Sequence, residues 1–154
     1  MTNPTAALTR LIWVGPLTVL ASIAAVLIVR LIAAYVLRPE PEFLPLTLAP
    51  AIIDTAVFVS LGVFVFHRVA SGGPLPSVLL SLVGARFWFL DPIHRYRFIA
   101  FRVLLVSFLP DIAIALTHRA QWPYAFALAT MHVAAWATCV QMLTKLTTLR
   151  LKKL

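Results

Sequence analysis

Charged residues are scarce in this chain of 154 residues, because only 12% are Asp, Glu, Lys or Arg while 62% are hydrophobic. A soluble domain needs a charged surface, and five acidic and 13 basic residues cannot cover one this apolar. Intrinsic disorder is excluded by the same apolar content. The period-two alternation of a membrane β-barrel is also missing. The composition therefore favours membrane-spanning helices.

Cysteine and the familiar enzyme motifs are nearly or wholly lacking. Cys139 stands alone, so no intramolecular disulfide, CxxC motif or thiolate metal cluster can form. No GxSxG, phosphate loop or HExxH occurs, so we lean towards a protein that is not an enzyme. The net charge of +8 comes from basic residues near helix ends rather than from a patch with stacking aromatics. This pattern predicts contact with membrane lipid headgroups and no nucleic-acid partner.

Four apolar runs are long enough to cross a bilayer. They cover residues 11–37, 47–66, 98–117 and 122–146. A fifth segment, 77–90, is about 14 residues long, which is short for a crossing and typical of an interfacial or re-entrant helix. We therefore predict an all-α membrane protein made of a single domain, residues 1–154. Its fold is a four-transmembrane-helix antiparallel bundle with an additional short interfacial or re-entrant helix between spans two and three.

Basic residues are distributed unevenly between the two sides of this bundle. Nine lie on the side of the amino terminus, the connection 67–97 and the tail: Arg10, Arg68, Arg86, Arg95, Arg97, Lys145, Arg150, Lys152 and Lys153. Only Arg38 and Arg119 lie on the other side. Because positive loops stay in the cytoplasm, both termini are predicted to be cytoplasmic, in a bacterial inner membrane. Treating 77–90 as a fifth span weakens this bias and buries Arg86.

Four ionisable residues interrupt the apolar runs, one in each span: Arg30, Asp54, Asp111 and His132. From the helical rise, all four lie roughly 9–15 Å below the outer interface. Charges at such depth are costly and are usually paired or functional. We therefore expect a buried polar network in which Arg30 contacts Asp54 or Asp111 and His132 lies within hydrogen-bonding reach. Such a network can be purely structural, because an unpaired member would destabilise the bundle.

Several chemistries remain open for the same residues. A polar pocket can hold the head of a lipid or quinone, and an aspartate–histidine pair can relay protons or couple transport. Asp54, Asp111 and His132 are also possible ligands of a divalent metal. His132 alone is compatible with a haem or chlorophyll-type pigment. No cofactor is specified by these patterns.

Neighbouring residues add detail to the predicted site. Pro110 removes a backbone hydrogen bond in span three and is expected to kink the helix beside Asp111. Ser107 lies one turn earlier on the same face and can help to satisfy that region. Trp136 shares a face with His132 and Cys139, where core packing is the commoner role for a tryptophan.

Two short stretches carry a family resemblance, SFLPD at 107–111 and MHVAAW at 131–136. They resemble a family of small bacterial four-helix membrane proteins carried as a domain of unknown function. The similarity covers roughly 44–145, and the segment 77–90 resembles an insertion in the family pattern. The resemblance implies the four-helix fold and draws attention to Asp111 and His132, but it implies no activity.

Small residues on spans one and four permit close contacts between helices, and some of them can face a partner. The sequence therefore predicts a non-catalytic accessory or interaction subunit, with a membrane protein or a second copy as its partner. The alternative is a ligand-binding or proton-coupled transport protein that uses the polar layer. A metal-dependent membrane enzyme comes third.

Overall fold

The computed structural model describes the backbone of residues 4–38, 46–77, 91–117 and 120–148, with side chains described between residues 12 and 146 of these ranges. The elements in these ranges are four α-helices, with no strand. They are α1 (Pro4–Leu37), α2 (Leu48–Ala70), α3 (Pro92–Leu116) and α4 (Trp122–Thr148). Each contains a segment long and apolar enough to cross a membrane. Within the described residues, the prediction of an all-helical fold with four helices long and apolar enough to span a membrane is confirmed.

Each of the four helices extends beyond the apolar run that predicts it, and α2 and α3 show where the extra turns come from. α3 begins at Pro92, six residues before the predicted start of 98–117, with Asp91 at the N-cap position. Proline suits the first helical turn because its missing N–H would have no intrahelical acceptor there. α2 continues to Ala70, through His67 and Arg68 in its last turn. The apolar run marks the part of a helix suited to lipid, whereas the helix itself continues into more polar surroundings.

The four helices alternate in direction, and two clusters of buried side chains hold them together. At one end, α2 and α4 finish while α3 begins; the cluster there includes Phe66, Tyr96, Ile99 and Leu143. We call this the basic end, because Arg68, Arg97 and Lys145 lie near it. The cluster nearer the opposite end joins α1, α2 and α4 and is rich in alanine, including Ala33, Ala51 and Ala127. Small side chains let these helices approach closely.

The end of α2 and the start of α3 meet at the basic end. The Phe66 and Tyr96 rings lie 5.0 Å apart in an edge-to-face arrangement, which requires both helix ends to be adjacent. Ser71 and Asp91, which follow α2 and precede α3, therefore lie on the same side of the bundle. The predicted interfacial helix at 77–90 lies outside the described residues apart from Ser77.

Buried hydroxyl groups in the helices are mostly satisfied by their own backbone. Thr18 donates to the Val14 carbonyl at 2.7 Å, and Thr55 donates to the Ala51 carbonyl at 2.6 Å. This bond to the preceding turn lets a hydroxyl sit in an apolar environment without a partner on another helix. The ionisable side chains are not satisfied by a carbonyl of the preceding turn, so their partners must come from elsewhere in the bundle or from its surroundings.

Candidate functional site: an acid–histidine pair and two separate charges

Arg30 bonds to the backbone rather than to an aspartate. It is half-buried on α1, and its Nε donates to the Leu46 carbonyl at 2.9 Å. Leu46 lies two residues before α2 begins, so the guanidinium group reaches towards the end of the bundle. This geometry differs from the expected contact between Arg30 and Asp54 or Asp111. A long side chain can reach a polar acceptor near the membrane surface, and here it does so.

Asp54 is on the outside of the bundle. Its side chain is exposed, six residues into α2, which places it about 9 Å from the start of that helix. Ile53, Val57, Phe58 and Leu61 form an exposed apolar surface around it, each more than half exposed. No hydrogen bond or ion pair joins Asp54 to another described residue. The expectation of a buried Asp54 is therefore corrected: the residue lies about two turns into α2, on the outward face of the bundle.

Asp111 and His132 are the two members of the predicted layer that come together. The His132 Nε2 atom lies 3.4 Å from the Asp111 Oδ2 atom, and the two side chains are 35% and 8% exposed. The Phe108 ring lies beside the imidazole, with centroids 6.4 Å apart. The separation exceeds the 2.7–2.9 Å typical of a charge-assisted hydrogen bond. Accordingly, Asp111 Oδ2 has no hydrogen bond with another described residue.

Ser107 and Trp136, which lie near this pair, make no described hydrogen bond with Asp111 or His132. Ser107 donates to the Leu104 carbonyl at 2.7 Å, so its hydroxyl is engaged with its own helix. α3 continues as a helix through Pro110. The Trp136 ring packs edge-on against Phe101, with 6.3 Å between centroids, and its buried Nε1 has no hydrogen-bond partner among the described residues. Trp136 thus packs between α3 and α4, one turn from His132.

The described residues bring together no group of three or more His, Cys, Asp or Glu side chains that can hold a metal ion. Asp54 faces outwards while Asp111 and His132 lie between α3 and α4. These three residues are therefore not arranged as a ligand set.

Two polar contacts were not foreseen from the sequence. The Leu46 carbonyl, which accepts from Arg30, is a backbone group whose availability depends on where α2 begins. The Tyr96 hydroxyl lies 3.4 Å from the Cys139 sulfur in the interior of the basic end. Cys139 interrupts the apolar run 122–146 with a weakly polar group, whereas Tyr96 lies before the run 98–117. Nothing in the spacing, however, shows which helix faces which.

Comparisons with protein-family models, curated proteins and solved structures find no match. The assignment of a function therefore depends on the geometry of this chain.

Proposed function

We propose that this protein is a non-catalytic subunit of the bacterial inner membrane that associates laterally with another membrane protein or with a second copy of itself. Both termini lie in the cytoplasm in this proposal. The observation that carries it is the exposed carboxylate of Asp54 within a membrane-spanning helix. The resemblance to small four-helix membrane proteins is consistent with the fold and adds no activity.

An outward-facing aspartate in the apolar part of a span is costly when lipid is its only neighbour. Its surroundings on α2 are Ile53, Val57, Phe58 and Leu61, which offer no hydrogen bond. Intramembrane carboxylates usually face a protein partner or a water-filled cavity for this reason. A basic or hydrogen-bond-donating side chain on a partner helix satisfies Asp54, and the surrounding apolar side chains provide a surface for packing.

Site-specific photo-crosslinking tests this interface in native membranes. A benzoylphenylalanine in place of Phe58 lies on the proposed interface, and one in place of Phe126 is the matched control on α4; the natural rings are 58% and 67% exposed. We expect a strong protein adduct from the crosslinker at position 58 and a much weaker one from the crosslinker at position 126. Losing one member of a buried charge pair at an interface costs about 2–5 kcal/mol. Asp54→Leu should therefore reduce the adduct at least about tenfold at equal expression.

The Asp54→Leu variant is suited to this test because leucine is compatible with lipid, so the isolated bundle should keep its melting temperature. An adduct of twice the chain mass identifies a second copy, and any other protein mass identifies a different subunit. Lipid adducts alone at position 58, or a protein adduct indifferent to Asp54→Leu, would reject the proposed interface.

A second candidate function is proton-coupled transport or ligand binding, and the Asp111–His132 pair favours it. A nearly buried carboxylate beside a partly exposed imidazole is a titratable pair inside the membrane. In this candidate function, either member can carry a proton or present a polar group to the head of an amphipathic ligand. Acidification-driven proton uptake in sealed vesicles should then depend on Asp111, and equal uptake by Asp111→Asn vesicles would exclude the relay.

A further inference from the structure

An open groove of about 550 Å³ lies between α3 and α4 near the basic end. Its size falls within the range of small-molecule binding sites. Four residues of α3 and five of α4 line it: His94, Arg97, Phe98 and Phe101, then Trp136, Val140, Gln141, Thr144 and Lys145. The α3 residues follow the spacing of one helical face, which explains how they converge on a single groove.

The polarity of the groove changes along its length. Arg97 and Lys145 lie near the basic end, and the Arg97 Nη2 atom is 3.4 Å from Thr144 Oγ1, to which it donates. Phe101 and Trp136 lie deeper, packed edge to face. Trp136 is nine residues from Lys145 along α4, which corresponds to roughly 14 Å. A ligand that follows the groove therefore needs a polar head and an apolar tail.

The charge at the polar end is positive. His94 contacts the Asp91 carboxylate, so its charge, when present, is balanced locally. The other acids of the described ranges, Asp54 and Asp111, lie towards the opposite end of their helices. Arg97 and Lys145 line this end of the groove with two basic side chains, which are complementary to an anionic head.

We propose that this groove binds an anionic phospholipid, with its phosphate near Arg97 and Lys145 and an acyl chain along Phe98, Phe101 and Trp136. The groove opens on the outside of the bundle and borders helices of membrane-spanning length, so lipid is its natural neighbour. A soluble anion would leave the aromatic part of the groove unfilled. Basic residues at the membrane surface and apolar contact with the chain act together in such recognition.

Trp136 provides an intrinsic probe of occupancy. The other tryptophans, Trp13, Trp88 and Trp122, are replaced by phenylalanine. The fluorescence of Trp136 in this variant then reports on the groove alone. The protein is reconstituted in phosphatidylcholine with a minor fraction of phosphatidylglycerol brominated near the middle of its chains, the part that should lie beside Trp136. We expect stronger quenching than with brominated phosphatidylcholine at the same fraction. A basic residue near the surface contributes about 1 kcal/mol to anionic-lipid binding, so Arg97→Gln should reduce the preference roughly fivefold.

Three further variants separate a site from general surface charge. Arg97→Lys keeps the charge and should keep the preference for phosphatidylglycerol. Lys145→Gln, at an exposed position, should weaken it about as much as Arg97→Gln and serves if that variant fails to fold. Arg68→Gln removes a charge from the same end but outside the groove and should leave the preference unchanged. Equal quenching by both lipids, or an equal loss in Arg68→Gln, overturns the proposal.

Discussion

The Asp111 carboxylate and the His132 imidazole form a pair between α3 and α4. At 3.4 Å they are close enough to attract when both are charged, and the burial of Asp111 strengthens that attraction. If His132 is removed, the Asp111 Oδ2 atom remains buried without a hydrogen-bond partner among the described residues. The cost of breaking such a pair therefore exceeds the net stabilisation that the intact pair provides.

Replacing His132 with leucine should lower the free energy of unfolding by about 3 kcal/mol, because the Asp111 carboxylate loses its neighbour. The double variant Asp111→Leu/His132→Leu should recover much of that loss, since it leaves no unpaired polar group. Unfolding of the single and double variants in detergent measures this coupling. His132→Gln retains a side-chain N–H donor and should cost less than His132→Leu. Simple additivity of the two leucine substitutions would show that the pair does not act as a unit.

The depth of the four ionisable residues could be predicted from the sequence, but their direction around each helix could not. Depth follows directly from residue number and helical rise. Direction depends on how each helix is rotated against its neighbours, and the apolar residues around Asp54 are as suitable for lipid as for a core. Asp54 and Asp111 therefore had equivalent sequence signatures, although one is exposed and the other is buried.

At the scale of helices, glycines mark the closest approaches. A Cβ atom at Gly62 of α2 would lie 3.3 Å from the Cys139 sulfur of α4 and 3.7 Å from the Tyr96 hydroxyl oxygen. A Cβ atom at Gly15 of α1 would lie 3.1 Å from a methyl group of Val63. The absence of a side chain at these positions lets α2 lie close to its neighbours, as small residues do in other membrane bundles.

The Gly62 contact predicts a specific energetic coupling. Gly62→Ala should change the free energy of unfolding more favourably in a Cys139→Ala background than in the native protein, by about 0.5–1 kcal/mol. The reason is that the sulfur atom that limits the new methyl group is then absent. A double-mutant cycle on the free energy of unfolding measures the difference. Gly15→Ala with Cys139→Ala is the matched control, and these two changes should be additive because the new Cβ meets Val63 instead. A coupling of zero at Gly62 would mean that the helices separate to accommodate the methyl group.

The helix ends show why hydrophobic runs predict elements better than they predict boundaries. The predicted 122–146 and the observed α4 (Trp122–Thr148) agree closely because an apolar run fills most of that helix. α3 begins six residues before the predicted run 98–117, because its first turns contain His94, Arg95 and Arg97. Those residues reduce local hydropathy without opposing helix formation. Its Asp91-Pro92 start was the better indicator of where the helix begins.

For the whole molecule, the alternating helices and the basic end fit a bundle with one positively charged face. The ends of α2 and α4 and the start of α3 share that face. In a membrane this is the side that the distribution of Lys and Arg assigns to the cytoplasm. The structure fixes which helix ends lie together, whereas their orientation in the membrane remains a prediction from charge.

Reporter fusions after Glu42, Gly73, Asp91 and His118 test the orientation. We expect cytoplasmic reporter activity at Gly73 and Asp91 and extracytoplasmic activity at Glu42 and His118. Agreement between Gly73 and Asp91 is required because α2 ends where α3 begins. Extracytoplasmic activity at Gly73 would reverse the assignment of the two faces, and opposite results at Gly73 and Asp91 would contradict the packing of the bundle.

The bond between Arg30 and the Leu46 carbonyl has a consequence for biogenesis. While α1 alone enters the membrane, its arginine faces hydrocarbon without the acceptor that it has in the finished protein. That acceptor becomes available only after sixteen further residues have been synthesised. This exposure of the arginine is avoided if α1 and α2 insert together, as a helical hairpin that leaves the translocation channel in one step.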